Sequence, residues 1–158
     1  MKIGIVVYSQ TGHILSIAES LKELLNHKGH EAVIDRIEIA PPFDEERAVL
    51  ANATLSHIPN TDDYEGIIFA SPVQGFSLAR IMPPYFSHVG SLNDKRIAHF
   101  IAHHLPPFFG GNKGSKHLSR LIRNKEGESL GNFKVKWSDE NKDETISIGI
   151  VKLSKLFD

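Results

Sequence analysis

From its first residues the chain alternates short apolar runs with amphipathic stretches, and Gly or Pro stands between them. Ile3-Gly4-Ile5-Val6-Val7-Tyr8 is a nearly continuous apolar run of strand length, which predicts a strand covered on both faces. After the polar residues Ser9 to His13, apolar positions fall at Ile14, Ile17, Ala18, Leu21, Leu24 and Leu25. That three-and-four spacing predicts an amphipathic helix closed by Gly29. Glu31 to Ile39, with Ala32, Val33, Ile34, Ile37 and Ile39, reads as a second strand ended by Pro41-Pro42. From Phe43 to Asp63 the pattern weakens to one short helix around Glu45 to Ala53 and a loop.

Ile67-Ile68-Phe69-Ala70 predicts a third buried strand running into Ser71-Pro72, and Ile97 to Ala102 a fourth running into His103-His104. Ile81, Met82, Tyr85, Phe86 and Val89 share a helical face whose first turn can hold Pro83 and Pro84, leaving Gln74 to Arg80 as loop. Leu118, Leu121 and Ile122 mark a further helix, Ser129 to Trp137 a fifth strand, and Ile146, Ile150, Leu153 and Leu156 a closing helix. Strands alternating with helices imply an α/β architecture: a doubly wound parallel sheet with helices on both faces, because each parallel return needs a crossover. Ligands of such sheets bind beyond the carboxyl ends of the strands, so the loops after strands one, three and four are the candidates.

Composition narrows the class. The 158 residues are expected to form one domain, 1–158, around a single core. Eighteen Lys and Arg against nineteen Asp and Glu leave a formal charge of -1, so no large field is expected to hold nucleic acid or an anionic membrane. With no Cys there is no disulfide framework and no thiol nucleophile. Only Ile3 to Val7 are apolar or small before Tyr8, Ser9 and Gln10, far short of a signal-peptide core or a membrane span, and the expected location is the cytoplasm.

The first candidate loop, Ser9-Gln10-Thr11-Gly12-His13-Ile14, joins a buried strand to a helix start. Its amides and the hydroxyls of Ser9 and Thr11 can converge on one anion, or Ser9 and Thr11 can simply cap the helix. It has neither the glycine spacing of a dinucleotide fingerprint nor the Gly-Lys-Ser/Thr of a triphosphate loop, so a monophosphate suits it better. The second loop, Ser71-Pro72-Val73-Gln74-Gly75-Phe76, offers backbone donors and a Gly able to take positive φ. The third, from His103 and His104 through Leu105, Pro106, Pro107, Phe108, Phe109, Gly110 and Gly111 to Asn112, joins aromatic faces to a Gly-rich backbone. Together the second and third loops can clasp a flat heteroaromatic ring; alternatively Phe76, Phe108 and Phe109 are core or dimer-contact residues.

Ser9-x-Thr11-Gly12 opening the first helix, Ser71-Pro72-Val73-x-Gly75, and Leu105-Pro106 to Gly110-Gly111-Asn112, in this order, resemble the flavodoxin-like family of FMN-binding proteins across essentially the whole chain. The resemblance implies a three-layer, doubly wound, five-stranded parallel sheet of order 2-1-3-4-5. It places the FMN phosphate on Ser9, Gln10, Thr11, Gly12, His13 and Ile14. The isoalloxazine would then lie between Pro72, Val73, Gln74, Gly75 and Phe76 on one side and His104, Leu105, Phe108, Phe109, Gly110 and Gly111 on the other. Two departures stand out. Ile14 occupies the place of the family's second Thr and removes one hydroxyl worth about 1 kcal/mol. The chain is also almost neutral where the family's electron carriers are strongly acidic, and its Trp137 lies outside the three loops.

The function implied is an FMN-dependent oxidoreductase that passes electrons from a reduced nicotinamide cofactor, NAD(P)H, or a redox partner protein to a quinone or another acceptor, with no side chain required as acid or base. The alternatives are a flavodoxin-type electron carrier and a non-catalytic binding protein of the same fold with weakened FMN affinity; a homodimer is compatible with each. Arg80, Lys113 and Lys116 flank the ring site, either to meet a donor's phosphates or as solvated surface. His13 either lends charge to a phosphate or is an exposed first-turn residue. The nine His, with His99, His103 and His104 the densest group, do not follow a metal-ligand spacing. No acidic residue ends strand one as a phosphoacceptor receiver would need, and no Gly-x-Ser-x-Gly elbow occurs.

Overall fold

The computed structural model describes residues 1–40 and 55–158. In chain order these form β1 (Lys2–Val7), α1 (His13–His27), β2 (Glu31–Arg36), β3 (Glu38–Ile39), β4 (Leu55–His57), β5 (Gly66–Gln74), β6 (Ser77–Leu78), α2 (Met82–Phe86), β7 (Arg96–His103), α3 (Gly111–Asn124), β8 (Ser129–Lys136) and α4 (Lys142–Ser154), with 3-10 turns at Pro107–Phe109 and Lys155–Phe157. The main sheet has the order β2-β1-β5-β7-β8, all neighbours parallel, and β6 pairs antiparallel with β5. Counting the five parallel strands alone, this is the 2-1-3-4-5 order.

The apolar run of β1 is buried on both faces, as its composition predicts. Ile3, Ile5 and Val7 join Ile14, Ile17, Ala18, Leu21 and Leu25 of α1 and Ile150 and Leu153 of α4 on one side of the sheet. Val6, with Ile67, Phe69, Ile97 and Ile101, packs on the other side against Met82, Tyr85 and Phe86 of α2 and Leu118 and Ile122 of α3. The sheet is thus wound on both faces, and each layer is sealed by an amphipathic helix whose stripe was visible in the 3.6-residue period.

Three expectations need correction. The second strand does not run unbroken to Ile39: Ile37 N–H still bonds the Val7 carbonyl at 2.8 Å, after which the chain leaves the sheet and β3 pairs antiparallel with β4. The third strand extends to Gln74, and residues 74–80 are not simply loop, because Val73 pairs with Leu78 and Gln74 with Ser77 in a tight hairpin. Gly75 has φ 61° while Phe76 has negative φ, which identifies the type II′ turn that suits a twisted two-residue hairpin. The helix after Ile81 stops at Phe86 rather than reaching Val89, with Pro83 and Pro84 in its first turn as anticipated. The short helix expected at Glu45 to Ala53 lies outside the described residues. Among the described residues no helix is long and apolar enough to cross a membrane.

Candidate functional site

Parallel strands put the ends of β1, β5, β7 and β8 on one edge of the sheet, and the loops that follow them meet there. After β1, Tyr8 continues the ladder by donating to the Ala70 carbonyl at 3.1 Å. The chain then turns through Ser9 to Gly12 into α1. Gly12 precedes the helix with φ 86°, and a Cβ placed there would touch nothing within 4 Å. Its requirement for glycine is therefore conformational, not steric.

The amides of Gln10, Thr11, Gly12, His13 and Ile14 have no acceptor among the described residues. Leu15 N–H alone in this turn finds a side chain, donating to Ser9 Oγ at 3.4 Å. The cap position itself is Gly12, with no side chain to bond, so Ser9 reaches the helix start only from three residues upstream, and this does not spend its hydroxyl: an oxygen that accepts from Leu15 keeps its own proton free to donate. Thr11 is exposed at the same mouth. Ile14 contributes differently from its neighbours. Its side chain is 1% exposed and sits in the core under the sheet, so only its amide belongs to the site.

The second loop is tied to the first by Gln74, whose Nε2 donates to Gln10 Oε1 at 2.9 Å while its Oε1 accepts from Arg80 N–H at 2.9 Å. Pro72, which has no N–H, supplies its carbonyl to Ala79 N–H at 3.1 Å and to the buried Ser71 hydroxyl at 2.9 Å. The third loop closes onto the second. Gly110, at φ 140°, lies so near that a Cβ would come within 2.9 Å of Val73 and 3.2 Å of the Phe76 Cα. Phe76 and Phe109 meet edge to face at 6.3 Å, and Phe108 lies 4.3 Å from Phe109. These rings are 62%, 47% and 73% exposed, so the core reading of Phe76, Phe109 and Phe108 is excluded. The two loops touch each other, and their aromatic faces form an open shelf over the junction. Leu105 is exposed on the same rim.

The three histidines near this edge separate. His99 is fully buried beneath α3, with Nδ1 2.7 Å from Ser129 Oγ and Nε2 2.9 Å from Ser115 Oγ. Because Ser129 donates its own proton to the Gly131 carbonyl at 3.2 Å, the network assigns the proton of His99 to Nδ1 and has Ser115 donating to Nε2. Burial, followed by the Lys134 charge, pulls the His99 pKa down to about 4. His103, also buried, donates from Nδ1 to the Leu105 carbonyl at 2.5 Å and backs Gly111. His104 alone faces solvent, 5.8 Å from the His13 ring.

Trp137 and Lys142 were not anticipated at the site. The structure stacks Trp137 on His13 at 3.9 Å with 14° between planes, and Lys142 Nζ lies 4.5 Å from the indole centroid. Trp137 is held by its N–H to the His103 carbonyl at 2.7 Å. The signal that could have found this pair is topological: in a doubly wound sheet the first and last helices share one face, so their amino ends abut. His13 is consequently neither exposed nor a ready cation. Desolvation lowers its pKa first, and the charges of His104 and Lys142 lower it further.

The chain matches no family profile. Its fold, in contrast, is widely shared among solved structures. Flavodoxin 2 from Bacillus cereus superposes with a TM-score of 0.67 at 21% identity, covering 98% of this chain and 99% of that one. A flavodoxin WrbA-like protein from Agrobacterium tumefaciens gives 0.66 at 15% identity over 98% and 96% of the two chains. A flavoprotein from Lactobacillus acidophilus, solved in complex with FMN, gives 0.61 at 15% identity over 94% and 97%. Strand order, winding and these superpositions agree: the chain has the flavodoxin-like fold.

Proposed function

We propose that the chain binds FMN at the carboxyl edge of its sheet and serves as an oxidoreductase between a reduced nicotinamide cofactor and a quinone or similar acceptor. The observation that carries the reading is the row of five amides from Gln10 to Ile14, without an acceptor among the described residues, at the amino end of a fifteen-residue helix, beside an exposed aromatic shelf. Orphan N–H groups at a helix start are the donor set a phosphate monoester needs, and no cation is required to complete it. The residues present therefore fit the cofactor. The amides of Gln10, Thr11, Gly12, His13 and Ile14 with the hydroxyls of Ser9 and Thr11 would hold the phosphate. Pro72 to Phe76 and His104 to Gly111 would face the ring.

FMN held by these residues would supply two-electron redox chemistry between a reduced nicotinamide and a quinone, with the accompanying protons exchanged with solvent. The chain's part is to bind and orient. Gln74, pinned between Gln10 and Arg80, fixes the first loop against the second. Gly110 lets the third loop press on the hairpin, so the shelf is built from backbone as much as from rings. The open rim at Phe76 and Phe108 leaves a bound ring accessible to a diffusible substrate by van der Waals approach.

Titration of purified protein with FMN, followed by quenching of flavin fluorescence, tests the cofactor. Saturation at micromolar concentrations is expected, and an unchanged signal overturns the reading in favour of a fold that has lost its flavin. NADPH or NADH added anaerobically to the loaded protein should then bleach the flavin band. If neither does while a redox protein does, the chain is a carrier.

A further inference from the structure

Beside the cofactor edge lies a feature the neutral overall charge conceals. Helix α3 holds Lys113, Lys116, His117, Arg120 and Arg123 and no acidic residue. A groove of about 530 Å³ runs between this helix and β8, lined by Asn112, Lys116, Ser119, Arg120, Arg123 and Lys134 among others. None of its four cations has an ion-pair partner among the described residues. The local field shows in its neighbours. His117 has its pKa lowered by burial and then by Arg120 and Lys113, and Lys134 adds to the depression of His99.

We propose that this groove is a phosphoanion site and that, given the FMN reading above, it takes the phosphate-bearing tail of the nicotinamide dinucleotide donor. Three observations choose the occupant. The groove starts at Asn112, one residue beyond Gly110-Gly111 of the ring-facing loop, so a ligand held here can reach the shelf. Lys116, Arg120 and Arg123 follow one side of the helix over about 10 Å, with the Asn112, Asn132 and Ser119 side chains between and opposite them; guanidinium forks and neutral donors are the set that recognises phosphate esters. The groove also has limits. No aromatic or aliphatic side chain lines it, which a protein-docking core would need, and its continuation past Arg123 is bordered by Glu126 and Glu128. A long polyanion would run into those carboxylates, whereas a short bisphosphate ends before them. Its volume lies within the range of small-molecule sites.

The test uses the full chain with and without FMN. Calorimetric titration with adenosine 2′,5′-bisphosphate should show saturable binding, weakened at least tenfold in the exposed-site variants Arg120→Glu and Arg123→Glu and unchanged in Lys22→Glu on α1. In the FMN-loaded protein the same two variants should raise the KM for NADPH at least tenfold and leave FMN affinity as it is. Absence of bisphosphate binding, or equal binding in the Arg120→Glu/Arg123→Glu double variant, overturns the proposal. If inorganic pyrophosphate binds with the same charge dependence but the NADPH KM does not move, the groove takes a free phosphoanion and the donor assignment is overturned. Failure of FMN to bind removes the cofactor reading and the donor assignment that rests on it, while the bisphosphate titration, which needs no flavin, still decides whether the groove is a phosphoanion site.

Discussion

The two regions of this molecule proposed to receive an anion would do so by opposite means. The turn from Ser9 to Ile14 carries no Lys or Arg and presents amides whose direction is set by the helix start and by Gly12. The α3–β8 groove presents four long, hydrated cations on a helix face and an edge strand, with little besides packing of their stems to orient them. Amide donors act over one hydrogen-bond length and fix geometry. Free charges act over a Debye length of about 10 Å at 0.1 M salt and fix encounter more than pose. A cofactor that must stay in one orientation belongs on the first kind of surface, and a substrate that must arrive and leave belongs on the second.

The largest expected effect breaks one side of the comparison and spares the other. His99 anchors α3 through Ser115 and β8 through Ser129, directly under the groove. Its pKa is 6.5 as a free side chain and about 4 in the folded protein, so the unfolded chain binds the proton more readily. The stability this neutral histidine confers is fully present above pH 6.5 and declines as pH falls from 6.5 towards 4, by an amount on the order of 3 kcal/mol. The urea midpoint should drop steeply across that window, and His99→Gln, which keeps hydrogen-bonding atoms but cannot titrate there, should flatten the slope. An unchanged slope in the variant removes His99 as its source.

The next effect strikes the amide turn. Gly12→Val places a β-branched residue at φ 86° with open space around its Cβ, so the whole penalty is backbone strain of about 1–2 kcal/mol. The turn is expected to relieve that strain by leaving its present path, weakening FMN binding at least tenfold while circular dichroism shows α1 retained. Binding at wild-type strength would show that the cofactor does not use this turn. Salt distinguishes the two regions without any mutation. Between 0.1 and 1 M the Debye length shrinks from about 10 to about 3 Å, so affinity for adenosine 2′,5′-bisphosphate should fall about tenfold. FMN affinity should change much less, and equal losses would erase the distinction drawn here.

How much of this was legible beforehand follows from which forces set each part. The burial of β1 on both faces, the stripes of α1 and the order of loops are consequences of hydrophobic period and crossover geometry, both local or topological rules. The β5–β6 hairpin escaped because two residues per strand carry no period, and only Gly75 hinted at the turn. The break at Ile37 escaped because its side chain is as apolar as those before it, while the chain's departure from the sheet depends on pairing with β4. Trp137 on His13 is a contact between residues 124 positions apart, invisible until α1 and α4 are known to share a face. The groove escaped for a different reason: a net charge of -1 is a sum, and a sum discards where its cations stand.

The smallest expected effect sharpens the account of the amide turn at Ile14, its departure from the pattern of the family the sequence resembles. Ile14 points into the core and gives the site only its N–H, so replacing it with Thr adds a side-chain donor beside that amide. In Ile14→Thr the side chain can keep its methyl group against Ile17 and the sheet while the hydroxyl turns to the amides. One new hydrogen bond to an anion is worth about 1 kcal/mol, or several-fold in affinity. The same change removes buried carbon and sets a hydroxyl at the border of the core, costing about 1–2 kcal/mol of stability. Tighter FMN binding by a less stable protein is therefore the expected pair of results, read by fluorescence quenching and thermal melting. Lower stability with no gain in affinity would mean that the side chain at this position stays with the core whatever its chemistry, and that the turn holds its phosphate by amides and the hydroxyls of Ser9 and Thr11 alone.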